Sequence, residues 1–269
     1  NAIDTYQRVL ELDPDDITAL GRLDVLYQEA GNWQELLSVL THEAELTADP
    51  AEAVGYQYRI AALYEQHLED VERAVDLYRE ILGIQPDHEP TLAALEGIKD
   101  GTRAPLAAAA VLEQVYDASA DWEKLISVLE VQARFADDQY AQVDLLHRIA
   151  GLYEDSLNDP QRAFDVYARS LSADSQNEDT LGALERLAML TERWPAVAAL
   201  YDQELEKIVD EPERLVELGL RVAQVYEVQL DDVEGAVARY RRVLEADPES
   251  RTALTSLDRL FSQAGRWNE

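Results

Sequence analysis

Tryptophan recurs along this chain at a spacing that sets the length of an internal repeat. The four tryptophans, Trp33, Trp122, Trp194 and Trp267, are separated by 89, 72 and 73 residues and lie in similar local sequences. Self-similarity at a fixed period indicates stacked copies of one supersecondary unit, because a single copy cannot bury its apolar face alone. The spacing therefore predicts an array of units of about 73 residues.

Two further motifs recur in the same register. An Ala-x3-Tyr-x3-Leu motif has its tyrosines at Tyr6, Tyr78, Tyr167 and Tyr240. An Arg-[Ile/Val]-Ala-x-[Leu/Val]-Tyr-Glu motif begins at Arg59, Arg148 and Arg221. Three landmarks with one spacing indicate that the tryptophans and tyrosines are structural. We expect each tryptophan to pack between neighbouring helices, so that Trp122→Ala would cost about 3–5 kcal/mol.

Apolar periodicity divides the first unit into four helices. Apolar residues recur at the i, i+4, i+7 spacing typical of amphipathic helices, which predicts helices at 16–30, 33–46, 51–68 and 71–83. Turn and capping residues, such as Asp49-Pro50 and Gln85-Pro86, separate them. The predicted fold class is an all-α solenoid of helix hairpins.

The motifs resemble tetratricopeptide repeats taken two at a time. In that family the second helix of each hairpin carries a small residue, an aromatic residue four positions later and a proline twelve positions after the small residue. Ala74, Tyr78 and Pro86 match this pattern. The resemblance implies a right-handed superhelix of antiparallel hairpins, with residues 1–269 forming a single array. Leu36 and Leu125 depart from the pattern, since the family prefers alanine there.

One unit is longer than the others. It contains 17 extra residues between Leu92 and Trp122, which predict a short helix at 90–99 and a new helix from Pro105. The segment 90–105 is either a packing adaptor between repeats or a bend in the superhelix. Both ends of the sequence fall inside the repeat pattern, so we expect the chain to be a fragment of a longer array.

Composition narrows the range of partners. The 269-residue chain has 47% hydrophobic residues and a formal net charge of −32, which disfavours nucleic acid and anionic membranes as partners. Its apolar runs are shorter than the ~18 residues that span a bilayer, so no membrane insertion is predicted. The expected partner is a protein or peptide, and the charge favours a basic one. Arginine outnumbers lysine, which suits a bacterial source. The compartment stays open, with a slight preference for the cytoplasm, because a signal could precede this sequence.

No chemistry-bearing motif is evident. The four histidines do not recur between units and form no metal-ligand spacing, and the chain contains no cysteine. Phosphate-binding glycine loops and nucleophile motifs are absent from the sequence. We therefore predict no catalytic, cofactor-binding or metal-binding residues, and we do not expect an enzyme.

Recurring polar positions mark a candidate groove. The resemblance implies that the helix carrying the Arg59, Arg148 and Arg221 motifs lines the concave surface of the array. The residues predicted to face this groove are Tyr58, Glu65, His147, Glu154, Gln224 and Glu227. The glutamates could read a basic segment, or each could pair with an arginine on its own or the next helix. The three motif arginines are expected to bridge neighbouring repeats.

These observations favour one function class and leave others open. The main hypothesis is a scaffold or adaptor that binds a protein or peptide on an acidic concave surface. A second is structural self-association through exposed repeat ends. A third is a regulatory or sensory repeat module of a larger multidomain protein.

Overall fold

The computed structural model describes residues 2–263, and this part of the chain contains α-helices, two π-helical turns and no strand. The predicted landmark Trp267 lies outside the described residues. The helices form two compact units, Asn1–Phe135 and Ala136–Glu269. Within residues 2–263, no helix is both long and apolar enough to cross a membrane.

The N-terminal unit contains eight helices. They are α1 (Ala2–Leu12), α2 (Ile17–Ala30), α3 (Trp33–Leu46), α4 (Pro50–Gln66), α5 (Val71–Ile84), α6 (Glu89–Asp100), α7 (Pro105–Ser119) and α8 (Trp122–Arg134). The four helices predicted for the first repeat are confirmed, with ends that differ by at most two residues. The inserted segment forms the two expected helices, α6 and α7, which pack against each other.

The C-terminal unit repeats the same plan. Its helices are α9 (Gln139–Gly151), α10 (Pro160–Ala173), α11 (Glu178–Thr191), α12 (Trp194–Lys207), α13 (Pro212–Gln224), α14 (Val233–Ala246) and α15 (Arg251–Gln263). In each unit every helix packs against the next one in sequence. Each unit is therefore an all-α stack of hairpins of the solenoid class, whereas the right-handed superhelix stays a prediction.

Two of the four landmark tyrosines, Tyr78 and Tyr240, lie in the cores of their hairpins, whereas Tyr6 and Tyr167 are half-buried. Tyr78 is fully buried on α5 beside Ala74 and Ile81, and Tyr240 is buried at the equivalent position of α14. In the first hairpin, Leu23 and Tyr27 are also buried. The small residue four positions before the tyrosine lets the neighbouring helix approach closely. The repeat motif is thus the sequence signature of one packing layer.

Aspartate begins many of these helices. Its side chain accepts a hydrogen bond from a backbone N–H in the first turn, which satisfies a donor that the helix itself leaves unpaired. Aspartates with this role are Asp16, Asp49, Asp70, Asp121, Asp138, Asp159 and Asp232. Part of the large negative charge is therefore explained by folding, because an anion is also favourable near a helix N-terminus.

Each tryptophan-bearing helix follows a residue with left-handed backbone. Gly31 precedes α3 with φ of 70°, Ala120 precedes α8 with φ of 54°, and Glu192 precedes α12 with φ of 57°. At all three turns the second residue after the preceding helix donates its N–H back into the last turn of that helix. Only the first turn has glycine, so the other two hold a side chain in a conformation that disfavours one.

The turn between α4 and α5 is longer than usual in sequence, and the structure shows how it closes. The N–H of Leu68 bonds to the carbonyl of Leu63, and the N–H of Asp70 bonds to that of Tyr64. In the C-terminal unit, the equivalent turns become π-helical segments at Leu152–Ser156 and Val225–Gln229. Hydrogen bonds between residues five apart accommodate the extra residue without breaking the helix before it.

The tryptophans are less enclosed than the repeat pattern suggested. Trp33, Trp122 and Trp194 are each the first residue of a helix and are half-buried. Because part of each ring remains exposed, the cost of Trp122→Ala is expected below the 3–5 kcal/mol predicted for an enclosed ring, at about 1–3 kcal/mol.

The left-handed turns give a prediction for stability. Gly31→Ala should lower the free energy of unfolding by about 1 kcal/mol, because alanine is strained at that φ. Ala120→Gly should raise it by about 0.5–1 kcal/mol, because the strain is relieved. Urea denaturation followed by circular dichroism measures both.

Gly55 provides the matched control for this pair. It lies inside α4 with ordinary helical backbone, and a Cβ atom added there meets nothing within 4 Å. Gly55→Ala should therefore stabilise the protein by up to about 1 kcal/mol. Equal responses of Gly31 and Gly55 to alanine would contradict the assignment of strain to the turn.

Candidate partner-binding site

The six residues predicted to line a groove lie in three groups, each near one landmark tyrosine. The groups are Tyr58 and Glu65 with Tyr78, His147 and Glu154 with Tyr167, and Gln224 and Glu227 with Tyr240. Their side chains differ greatly in how free they are to meet a partner.

Two of the three recurring glutamates accept hydrogen bonds from recurring tyrosines. The Tyr78 hydroxyl donates to Glu65 at 2.7 Å, and the Tyr240 hydroxyl donates to Glu227 at 2.9 Å. Burial and the carboxylate together raise the pKa of Tyr78 well above its usual range. These hydrogen bonds hold the two helices of a hairpin together, which explains why glutamate and tyrosine recur together.

Two of these glutamates are also paired with arginine. Arg186 donates two hydrogen bonds to Glu154, at 2.6 and 2.8 Å, and Arg259 forms an ion pair with Glu227. Glu65 has no cationic partner for its carboxylate among the described residues. Arginine therefore pairs with Glu154 and Glu227, but each arginine lies on the first helix of the following hairpin rather than on the same or the next helix as expected. Glu65 retains an uncompensated charge.

His147 and Tyr58 make internal contacts. A ring nitrogen of His147 shares a hydrogen bond of 2.7 Å with the buried hydroxyl of Thr180, and the ring lies edge-on to Tyr167 at 5.2 Å. Burial lowers the pKa of His147, which favours the neutral ring. Tyr58 is half-buried against Tyr78. Gln224, in contrast, is exposed.

Ion pairs join successive hairpins at the motif arginines. Arg59 on α4 donates to both carboxylate oxygens of Asp24 on α2, at 2.7 and 2.6 Å. Arg221 on α13 contacts Glu185 at 2.7 Å and Glu178 at 2.9 Å, both on α11. The prediction that these arginines bridge neighbouring repeats is confirmed for both. For Arg148 it stays a prediction.

The C-terminal unit contains a cavity of about 560 Å³ at this position. Its lining comes from helices α11 to α15 and includes Glu185, Trp194, Glu217, Leu220, Arg221, Gln224, Val225, Glu227, Val228, Gln229, Tyr240, Thr252, Ser256 and Arg259. Apolar surface from the tryptophan, leucine and valines lies beside carboxylates and guanidinium groups. The cavity is large enough for one or two side chains of a bound segment.

The N-terminal unit has a smaller cavity of about 150 Å³ built from equivalent residues. It is lined by Gln28, Trp33, Leu36, Leu40, Tyr58, Arg59, Ala62, Leu63, Gln66 and His67. In both units the cavity joins a helix-starting tryptophan to the motif arginine. Repeat register also shows that Leu220, rather than Gln224, is the equivalent of Tyr58. The residues that line these two cavities were not predicted as one site from the sequence, because most of the equivalent positions carry different residue types in the two units.

A buried carboxylate lies behind the N-terminal cavity. Glu43 on α3 is 7% exposed, and its Oε2 atom has no hydrogen-bond partner among the described residues. Burial, together with the charge of Asp24, raises the pKa of Glu43 to about 7, although Arg59 opposes the shift. The equivalent residue in the C-terminal unit, Glu204, is buried too, but Lys207 contacts it at 2.7 Å.

The raised pKa makes the stability of the N-terminal unit depend on pH. A carboxyl whose pKa is higher in the folded state stabilises the fold fully below pH 4.5, and that stability is lost as pH rises through 7. Glu43→Gln should therefore raise the free energy of unfolding at pH 8 by about 1–3 kcal/mol and change it little at pH 4.5. Urea denaturation at both pH values measures this difference.

Glu204→Gln is the matched control for Glu43→Gln. Because Lys207 compensates this carboxylate, the substitution should leave the stability at pH 8 unchanged or slightly lower. A gain at pH 8 for both variants would contradict the role assigned to the missing partner of Glu43.

The tyrosine–glutamate hydrogen bonds can be tested in the same way. Tyr78→Phe should lower the free energy of unfolding by about 1–2 kcal/mol, because it removes a donor to a half-buried carboxylate. Tyr167→Phe is the control, since the Tyr167 hydroxyl donates to no group in residues 2–263, and we expect a change under about 0.5 kcal/mol. Equal losses would show that the hydroxyl–carboxylate bond is not what stabilises the hairpin.

The described residues contain no group of three His, Asp or Glu side chains placed to hold a metal ion. The arrangement instead provides surface that can hold a side chain: an indole face, aliphatic edges and a few charged groups. Such a combination is typical of sites that bind segments of other proteins.

Comparisons with known proteins agree with the repeat architecture. Residues 19–54 and 56–88 each match a tetratricopeptide repeat profile. These matches cover α2 to α5 and coincide with the first complete repeat of about 73 residues. A comparison with curated protein sequences gives no match.

Several solved structures also align with the chain. The TPR2AB domain of yeast Sti1 in complex with pHSP90 has 17% identity and a TM-score of 0.32, over 98% of this chain and 90% of that one. PilF of Pseudomonas aeruginosa has 14% identity and a TM-score of 0.28, over 90% and 96%. YrrB, a protein with an unusual peptide-binding site, has 13% identity and a TM-score of 0.31, over 78% and 94%.

The repeat motifs, the hairpins that they form and the two profile matches lead to one conclusion. The chain is a helical repeat protein whose hairpins resemble tetratricopeptide repeats, with profile matches over residues 19–54 and 56–88.

Proposed function

We propose that this protein is an interaction scaffold that binds a segment of a partner protein, and that the cavity beside Trp194 is its principal contact. The observation that carries the proposal is the 560 Å³ cavity in the C-terminal unit, which combines an aromatic ring and aliphatic side chains with charged groups. Partner-binding sites typically depend on a few such anchors, and surrounding residues contribute shape and exclude water.

Charge favours a basic partner. The chain has a formal charge of −32, so a positively charged segment is attracted over a distance of about 10 Å at moderate salt. This attraction mainly raises the association rate and gives binding a dependence on salt concentration. Glu65, Glu154 and Glu227 contribute to the field, but the last two are neutralised locally by arginine. The unpaired carboxylates are therefore expected to matter most.

The residues on the cavity wall suggest how the segment is held. Gln224 and Val228 are exposed on one turn of α13 and its π-helical continuation, so they can meet a partner without a change in the fold. Residues that are already bonded internally, such as Arg221, fix the shape of the wall. Preorganisation of this kind lowers the cost of ordering side chains upon binding.

The test uses the chain as bait in a cell lysate, with elution by a salt gradient and identification by mass spectrometry. A captured partner should elute with increasing salt, and Gln224→Arg should weaken its binding by at least about tenfold, because the substitution adds bulk and positive charge inside the cavity. Isothermal titration calorimetry with the purified partner gives the affinity.

Gln176→Arg is the matched control. Gln176 is exposed in the turn between α10 and α11 and does not line the cavity. Gln176→Arg changes the net charge by the same amount as Gln224→Arg and leaves the cavity unchanged. Equal losses of affinity for both variants would mean that the partner responds only to the net charge of the protein. An unchanged affinity for Gln224→Arg would overturn the assignment of this cavity as the binding site.

A further inference from the structure

The two tryptophan cavities are equivalent in position but differ in occupancy. Trp33 and Trp194 each begin a helix after a left-handed turn, and each lies near an arginine paired with an acidic residue of the preceding hairpin. The two sites can therefore be compared residue by residue within one molecule.

In the N-terminal unit the tryptophan face is covered by the chain itself. The imidazole of His67, at the end of α4, is stacked on Trp33 with ring centroids 3.7 Å apart and planes 8° from parallel. A planar group that can carry positive charge thus occupies this indole face. The cavity that remains beside it measures only about 150 Å³.

In the C-terminal unit no aromatic ring of the described residues covers the equivalent tryptophan, Trp194, which is half-buried. Gln229 stands at the position equivalent to His67, eight residues after the motif arginine, and no ring of the described residues is stacked on Trp194. The cavity here measures about 560 Å³, and it also extends to Tyr240 and to α15, which have no counterpart in the lining of the N-terminal cavity. The two sites therefore differ in the ring that covers the tryptophan and in the extent of the cavity beside it.

The charge inside the open cavity is negative. Three carboxylates and two guanidinium groups line it. Arg221 is held by Glu185 and Glu178, and Arg259 is paired with Glu227. The remaining carboxylate, Glu217, is exposed and has no hydrogen bond or ion pair within the described residues. An incoming cation would therefore meet an uncompensated carboxylate and two cations that are already neutralised.

We propose that Trp194 binds an arginine side chain of the partner in this cavity, with the guanidinium stacked on the indole and paired with Glu217. This inference rests on the proposed scaffold function and names the side chain that the site reads. Arginine combines the planarity of the imidazole on Trp33 with a permanent charge, which a lysine ammonium does not. The protein already stacks guanidinium groups on rings, as Arg239 does on Tyr226 at 4.0 Å.

The direct test follows the indole N–H resonances of the intact chain by NMR, with Trp194→Phe to identify the relevant signal. The probes are three capped tripeptides, Gly-Arg-Gly, Gly-Lys-Gly and Gly-Gln-Gly. The Trp194 signal should shift saturably with the arginine peptide, at a Kd on the order of 1–10 mM. The lysine peptide should bind at least about threefold more weakly, and the glutamine peptide should cause no shift.

Reciprocal exchange of the repeat residues tests the role of the histidine. Gln229→His should close the C-terminal site and reduce arginine binding by at least about fivefold. His67→Gln should open the N-terminal site, so that the Trp33 signal begins to respond to the arginine peptide. Glu217→Gln should weaken arginine binding about three- to tenfold, because the ion pair is lost. Circular dichroism confirms that each variant is folded.

The peptide titrations and the partner-binding measurements distinguish arginine recognition at Trp194 from the scaffold function. A Trp194 signal that ignores the arginine peptide, or responds equally to all three peptides, would overturn arginine recognition. The same holds if a captured partner binds Gln229→His and Glu217→Gln as tightly as the original chain while Gln224→Arg abolishes binding. In that case the scaffold proposal survives. Selective arginine binding that both variants weaken as expected supports the inference, even if the lysate yields no partner.

Discussion

Each helix of this chain has one apolar face, and only the helices beside it in sequence can cover that face. This constraint explains why, within each compact unit, every helix packs on the next one, and why a small residue, a tyrosine and a leucine recur at fixed positions. The tyrosine hydroxyl must then find an acceptor inside the hairpin. A glutamate 13 residues before the tyrosine supplies this acceptor in two of the repeats. The tyrosine ring fills the core, and the glutamate satisfies the hydroxyl.

The acidic composition serves several purposes at once. Aspartates begin helices, glutamates accept from buried tyrosines, and other carboxylates join hairpins through arginine. These roles reduce the number of charges that are free to meet a partner, so the formal charge overstates the strength of any local binding surface. Glu43 and Glu217 are two carboxylates that lack a compensating partner among the described residues. Burial raises the pKa of Glu43, whereas Glu217 is exposed on the wall of the C-terminal cavity.

The sequence was a good guide to the helices and a poor guide to the site. The helix ends of the first repeat were predicted to within two residues, because apolar periodicity and capping residues are local signals. The state of each groove residue depends instead on side chains far away in sequence. Glu154 is paired with a residue 32 positions away, and Arg221 with one 36 positions away. Whether a ring covers the tryptophan differs between the repeats, with His67 stacked on Trp33 and Gln229 at the equivalent position near Trp194, and apolar periodicity does not reveal this difference.

The bridging ion pairs have a consequence for how such a chain can grow. Arg59 reaches back 35 residues to Asp24, and Arg221 reaches back 36 residues to Glu185, so each partner belongs to the immediately preceding hairpin. A tandem duplication of one complete unit would therefore recreate its own bridges without compensating changes elsewhere. Each new copy could then acquire or lose a residue such as His67 independently. Gene duplication followed by single substitutions could in this way produce rows of sites with different occupants on a common framework.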